Sequence, residues 1–399
     1  MICSLKSKKS ASATFVQIPT DKLKTSFKLL LASFQSIQPK LLVLLPLLLV
    51  TAWMPLEAKP VGTDPCIVDK DPTTSHSSAP MSVFKLVQKA DYEELYIQTD
   101  MEQLMAGKRT DSYQKAKIRF YDAKTNKEFT KNIKVRVRGK SRRRFCDFPP
   151  LMLKFKKREL FGNGLDSAYN KLKLVTHCLD NKKGEGYLMK EYLAYKMYNE
   201  VTDKSLKVKL LKIHYLDSEN PSKEIVRYGF LIENHHEMAK RIGGKVVEQF
   251  NTPFNDFQAG VHHNMLMFQF MIGNTDFWPE LMRNVKLVKL NSNGKIVVVP
   301  YDFDFSGLVD TPYAIPNRDL GEMESVRERR FVASCASSKD FEGAVELFNK
   351  RREVIIQQVE ELGLLSKKQR SEVLRYLGGF YKTINDKASL QEELQKTCL

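Results

Sequence analysis

The sequence predicts an α+β fold in which a mixed β-sheet lobe is followed by a helical lobe. Three observations predict it. Short runs of strand-like composition recur between Glu94 and Ile232, and patterns of helical period dominate after Asn234. Within that helical half stands a hairpin with an Asn-Gly turn, bounded at both ends by acidic and amide residues. The 399 residues, 42% of them apolar, can bury a sizeable core, which excludes disorder for most of the chain.

The N-terminal 58 residues read as a leader. A basic, Ser-rich stretch of 40 residues precedes an apolar run, 41–53, that has the length of a signal-peptide core and is short and Pro-broken for a membrane span. Export is expected, to a periplasmic or secreted location; left uncleaved, the run would act as a membrane anchor. Residues 59–91 are rich in Pro, Ser and Thr and read as a linker, 92–234 as the sheet lobe, and 235–399 as the helical lobe. Beyond the leader lie Cys66, Cys146, Cys178, Cys335 and Cys398. An exported chain can oxidise them, and Cys146 and Cys178, at the edges of two predicted strands, are the expected pair.

Strands are expected at 94–99, 116–121, 132–138, 151–155 and 171–176, and again at 206–215 and 226–232. The formal net charge is +17, and between Lys131 and Arg158 twelve Lys or Arg stand against the single acid Asp147. Within that window Ile133, Val135 and Val137 alternate with Lys134, Arg136 and Arg138, so one strand face is apolar and the other cationic. Such a face suits phosphates. Nucleic acid is the competing partner and is disfavoured, because the run lacks an aromatic stacking platform and an exported chain rarely meets nucleic acid.

A helix is expected over 187–201, with Leu188, Met189, Tyr192, Leu193, Tyr195 and Met197 on a broad apolar face and Glu191 at its margin. A second helix, 260–272, is apolar all round and therefore buried, and it delivers the chain to Asn274 and Asp276. The hairpin follows, with strands at 285–290 and 295–299. If Asn293 and Gly294 are the central turn residues, Asn284 faces position 303; a four-residue loop moves it to 301. Either register puts Asn284 beside Asp302 and within reach of Asp304, with Asp276 alongside. Hard oxygen ligands, few in number, are what a nucleotide-bound magnesium ion needs, and a remaining Asp could orient a hydroxyl.

The order of buried helix, Asp loop, Asn, hairpin and Asp resembles the protein-kinase-like two-lobed fold. GNTD at 273–276 is similar to the catalytic loop of HipA-type kinases, and PYDFD at 300–304 to a segment of the CotH-type spore-coat kinases. Upstream, VRVRGKS (135–141) and YGFLIE (228–233) resemble further CotH elements, in the right order, over residues 92–310. The chain is thus identified as resembling the CotH-like kinases. It departs from ordinary protein kinases in having no GxGxxG loop, no HRD, and eight residues rather than five between Asp276 and Asn284. Phe277 and Trp278 follow Asp276, where the CotH pattern has Arg or His.

The resemblance implies ATP with Mg2+ or Mn2+ as cofactors and a protein hydroxyl as acceptor. Asp276 would orient the acceptor and take its proton; Asn284 and Asp302, with Asp304, would hold the metal. Arg138 and Ser141 would lie near the phosphates, and Glu233 in the hinge that meets adenine. Glu191 would pair with a strand lysine, Lys154 or Lys173, of which Lys154 follows the RGKS element by a hairpin interval. The alternative is a non-catalytic envelope or surface scaffold that keeps the fold and binds an acidic partner through its basic face.

Overall fold

The computed structural model describes residues 80–181, 183–332 and 337–396. The leader, most of the linker, Cys66, Cys335 and Cys398 lie outside the described residues. Period-two alternation dictates the first half, where every second strand residue points inward. Its elements are helix α1 (Val83–Lys89), strand β1 (Glu94–Thr99), α2 (Met101–Ala106), β2 (Gln114–Asp122), β3 (Lys127–Val137), α3 (Arg142–Phe145), β4 (Leu151–Lys154), α4 (Lys157–Gly162), β5 (Lys171–Val175), α5 (Gly184–Val201), β6 (Val208–Asp217) and β7 (Glu224–Ile232).

The seven strands close into a barrel in the order β1-β2-β3-β4-β5-β7-β6. The sheet is mixed because β1 and β6 pair in parallel while the other neighbours are antiparallel. Leu95, Ile118, Phe120, Val135, Leu153 and Leu172 fill its interior. Local pattern does not reveal closure, since a parallel pair joins segments far apart in sequence. Helix α1 falls where a linker was expected. Ser82 caps it, accepting from Lys85 N–H at 3.1 Å, and its Phe84 and Val87 join the barrel core.

The second half is largely helical. It comprises α6 (His235–Arg241), β8 (Gly244–Val247), α7 (Ala259–Ile272), β9 (Val285–Leu290), β10 (Ile296–Pro300), α8 (Glu342–Lys350), α9 (Arg352–Glu361), α10 (Lys367–Ile384) and α11 (Lys387–Gln395). Helix α7 is enclosed by the three-stranded sheet β10-β9-β8, by α5 and by the C-terminal helices. Its Phe268, Phe270 and Met271 are at most 2% exposed, and full burial of each such side chain contributes about 1.5–3 kcal/mol. The hairpin takes the four-residue-loop register, with Val299 opposite Lys286 and Tyr301 N–H donating to the Asn284 carbonyl at 2.9 Å.

The expected Cys146–Cys178 disulfide is present. It joins the residue that ends α3 to the segment between β5 and α5. Among the described residues, no helix is long and apolar enough to cross a membrane.

Candidate active site

Three segments meet at the mouth of the β9–β10 hairpin. The first is the loop after α7. Gly273 ends that helix at φ +62°, and a Cβ there would stand 2.0 Å from the Tyr376 hydroxyl, so the position requires glycine. The buried Asn274 side chain donates to Gln269 Oε1 at 3.0 Å and accepts from Asp276 N–H at 3.1 Å, an Asx turn that fixes Asp276. Trp278 and Arg283 then exchange backbone hydrogen bonds at 3.0 and 2.9 Å, folding the chain back. That return accounts for the long interval: Asn284 Nδ2 donates to the Asp276 carbonyl at 2.6 Å and to its Oδ2 at 2.8 Å. Arg283 forms an ion pair with the other Asp276 oxygen. Burial raises the Asp276 pKa, against the pull of Arg283.

The second segment follows β10. Asp302 adopts φ +67° and Asn284 φ +51°, the left-handed region that Asp and Asn enter more readily than other non-glycine residues. The surroundings of Asp302 are aromatic. Asp302 N–H donates to the Tyr195 hydroxyl at 2.9 Å, and the Phe303 ring packs on Tyr195 and Phe268 with centroids 4.6 and 5.5 Å away. Asp304 is buried and accepts from the Tyr313 hydroxyl at 3.1 Å.

The third segment is α3. Arg142 is only 6% exposed. Its Nη2 donates to Glu191 Oε1 at 2.7 Å and to Asp302 Oδ1 at 2.8 Å, while Nε faces Asp304 Oδ2 at 2.9 Å. One guanidinium therefore serves three carboxylates whose oxygens lie within 4.8 Å of one another. Burial works against the Arg142 charge, but the three anions outweigh it and hold its pKa up. Burial likewise raises the Glu191 pKa despite the Arg142 contact. Asp304 is pushed up to about 7 by burial, Arg142 opposing and Asp302 and Glu191 reinforcing.

These segments border a cleft of about 530 Å3 lined by Arg138, Ser141, Asp276, Asn284, Asp302 and Asp304, among others. Arg138 enters it from the turn after β3, where Gly139 supplies φ +93°. Tyr301 also lines the cleft, and Lys173 on β5 lies against its ring, Nζ to centroid 5.2 Å. Burial depresses the Arg138 pKa and brings Lys173 down to about 8, with Arg138 and Lys286 adding to the Lys173 shift. Neither cation forms a salt bridge among the described residues, but the Asp302 charge opposes both shifts.

The donor set fits magnesium or manganese, which take oxygen ligands. Asn284 spends its amide N–H groups on Asp276, leaving its carbonyl oxygen as a donor, and Asp302 is 38% exposed. Of the three carboxylates on one guanidinium, Glu191 and Asp304 hold protons more readily than free ones, and a divalent cation would favour their ionised forms. Asp304 and Glu191 are held by Arg142, so Asp302 and Asn284 are the accessible members.

Two expected site residues stand elsewhere. The Lys154–Glu191 pair does not form, because Lys154 stands between Lys134 and Lys171 on the neighbouring strands, with its ammonium 5.1 Å from the Tyr113 ring. Its strand neighbour Leu153 takes the barrel interior, so the lysine turns outward. Glu233 is saturated: Arg241 donates to it through Nε at 2.9 Å and Nη2 at 2.8 Å, and Lys207 N–H at 3.0 Å. That carboxylate fixes the exit from β7 and is not free for a cofactor. Arg142 and Tyr195, which organise the carboxylates, were not singled out from the sequence as site residues. The only sequence signal for Arg142 was its place directly after RGKS.

No family model matches the sequence, and no curated protein does. Among solved structures, the chain is similar to the crystal structure of a Helicobacter pylori proinflammatory kinase, CtkA, at a TM-score of 0.34 and 11% identity, over 64% of this chain and 98% of that one. At that level of likeness the functional reading rests on this chain's own residues.

Proposed function

We propose that the chain is an exported, CotH-like kinase with a protein-kinase-like fold, transferring the γ-phosphoryl group of ATP to a protein hydroxyl. One observation carries the reading. One cleft combines oxygen donors, Asn284, Asp302 and Asp304, with Arg138, while Lys173 stands beside it against the ring of the lining Tyr301; neither cation forms a salt bridge among the described residues, though the Asp302 charge favours both. Burying an unpaired cation is costly, and a polyanion that completes the pairing offsets that cost. A nucleotide triphosphate with its metal matches both halves of the cleft.

In this reading Arg138 and Lys173 hold phosphate oxygens, and Ser141 lies at the phosphate edge. Bound Mg2+ or Mn2+, held by Asp302 and Asn284, would neutralise charge on the phosphates. Asp276, oriented by Asn284 and made more basic by burial, accepts the proton of the acceptor hydroxyl. The acceptor oxygen bonds to the γ-phosphorus as the bond to the β,γ-bridging oxygen breaks, and ADP leaves. The Cys146–Cys178 bond suits an oxidising compartment outside the cytoplasm. Membrane anchoring through residues 41–53 belongs to the same proposal.

The second reading, a non-catalytic scaffold, is favoured by Arg142, which already neutralises part of the carboxylate cluster. Thermal unfolding with and without ATP and magnesium separates the two. At a hundred-fold excess over Kd a ligand stabilises by about 2.7 kcal/mol. The kinase reading expects that stabilisation in the wild type and its loss in an Arg138→Met/Lys173→Met variant. Absence of any ATP-dependent shift in the wild type would refute it.

A further inference from the structure

A second groove, of about 890 Å3, adjoins the cleft and shares Arg138, Gly139 and Lys140 with it. Its remaining walls are Arg109, Arg136, Arg143 and Arg144, with Met152 and one acid, Asp111. The cations are held in place rather than splayed. Arg136 Nη1 and Arg143 Nη2 both donate to the Val137 carbonyl, at 3.0 and 2.9 Å, and their side chains are only 20% and 16% exposed. Both also converge on a single oxygen, Asp111 Oδ1, at 2.6 and 2.5 Å. The hydrogen bond from Arg143 and the charge of Arg136 lower the Asp111 pKa. Asp111 is itself 77% exposed, so this carboxylate enters the groove from a solvated loop.

We propose that this groove binds the acidic segment of a protein partner, and that the acceptor of the proposed phosphoryl transfer carries Asp or Glu beside its hydroxyl. The substrate class rests on the kinase reading; the binding surface does not. Asp111 occupies the position a partner's carboxylate would take, between two preorganised guanidinium groups. Six cations around one internal acid leave a strong unmatched positive charge. Continuity through Arg138, Gly139 and Lys140 carries an extended peptide from these arginines toward Asp276. A carboxylate-bearing chain is favoured over nucleic acid because the walls hold no aromatic ring on which bases could stack. Tyr113, close by, is covered by Arg136 and Lys154.

The test is fluorescence anisotropy of a labelled Ser-containing peptide rich in Asp and Glu. It is compared with a Lys/Arg-rich peptide and with oligo(dT) of equal charge, using the chain from residue 59 without nucleotide. The acidic peptide should bind tightest. Arg109→Glu/Arg144→Glu, at two exposed positions, should weaken it roughly tenfold or more. Asp111→Asn should tighten it several-fold by removing the internal competitor, a gain that mere misfolding could not produce. Equal or tighter binding of oligo(dT), preference for the basic peptide, or no gain from Asp111→Asn would overturn the inference. ATP-dependent stabilisation is read in parallel. Peptide binding without it would leave the groove standing and remove the kinase reading; the reverse result would remove only the groove.

Discussion

Replacing Arg142 by methionine keeps most of the buried stem and deletes the charge that three carboxylates share. Glu191 and Asp304, each 3% exposed, are then left facing each other without a counter-ion. Breaking a buried ion pair on one side costs on the order of 3–5 kcal/mol. Asp302, more than one-third exposed, is screened by solvent and adds little. With an unfolding entropy of roughly 2.1 cal/mol/K per residue over roughly 320 folded residues, the loss corresponds to a Tm lower by about 5–7 °C at pH 7.5.

The same variant carries a pH signature. Asp304 and Glu191 have folded pKa values above their ordinary ones, so their contribution is fully present below pH ~4. For Asp304 it is lost as pH rises to about 7. Without Arg142 both pKa values rise further, so the deficit of the variant should be small near pH 4.5 and grow toward pH 8. Mn2+ should restore part of it, since the guanidinium no longer occupies the carboxylates. Differential scanning calorimetry across pH checks this. A Tm equal to that of wild type at pH 7.5, or a deficit independent of pH, would show that the carboxylates do not depend on Arg142.

Other outcomes follow from single observations. Lys173 titrates near 8, and bound phosphates would favour its charged form, so ATP affinity should fall as pH rises past about 8. Lys173→Met should flatten that dependence in thermal-shift titrations. The Cys146–Cys178 bond spans 32 residues, and the double serine variant should lose about 3–4 kcal/mol in denaturant unfolding; an unchanged midpoint would contradict it. Gly273→Ala places a Cβ at φ +62° against the Tyr376 hydroxyl and should cost about 1–3 kcal/mol, read by the same assay.

The strands, the buried helix α7 and the hairpin were legible because each is written in a local period or a turn dipeptide. The interval from Asp276 to Asn284 made sense only once the Trp278–Arg283 bridge had folded it back. Barrel closure and the β1–β6 pairing depend on contacts distant in sequence, so no window of residues announces them. Arg142, Arg143 and Arg144 look alike in the sequence, yet the first is buried among carboxylates while the other two line the groove, Arg143 half-buried and Arg144 exposed. What separates them is the orientation of one turn of helix, tied at its end by Cys146. The hairpin interval after the RGKS element favours Lys154 over Lys173 as the partner of Glu191, and only the strand register shows Lys154 standing outward between Lys134 and Lys171.

The central claim is phosphoryl transfer from this cleft. It is tested most directly by incorporation of labelled γ-phosphate from ATP, with magnesium or manganese, into an acidic Ser-containing protein or the chain itself. Wild type is compared with Asp302→Asn, which tolerates the left-handed backbone at that position. Incorporation by the wild type, lost in the variant while its Tm is kept, is the predicted result. A wild type that neither incorporates phosphate nor is stabilised by ATP would contradict the account and leave the scaffold reading.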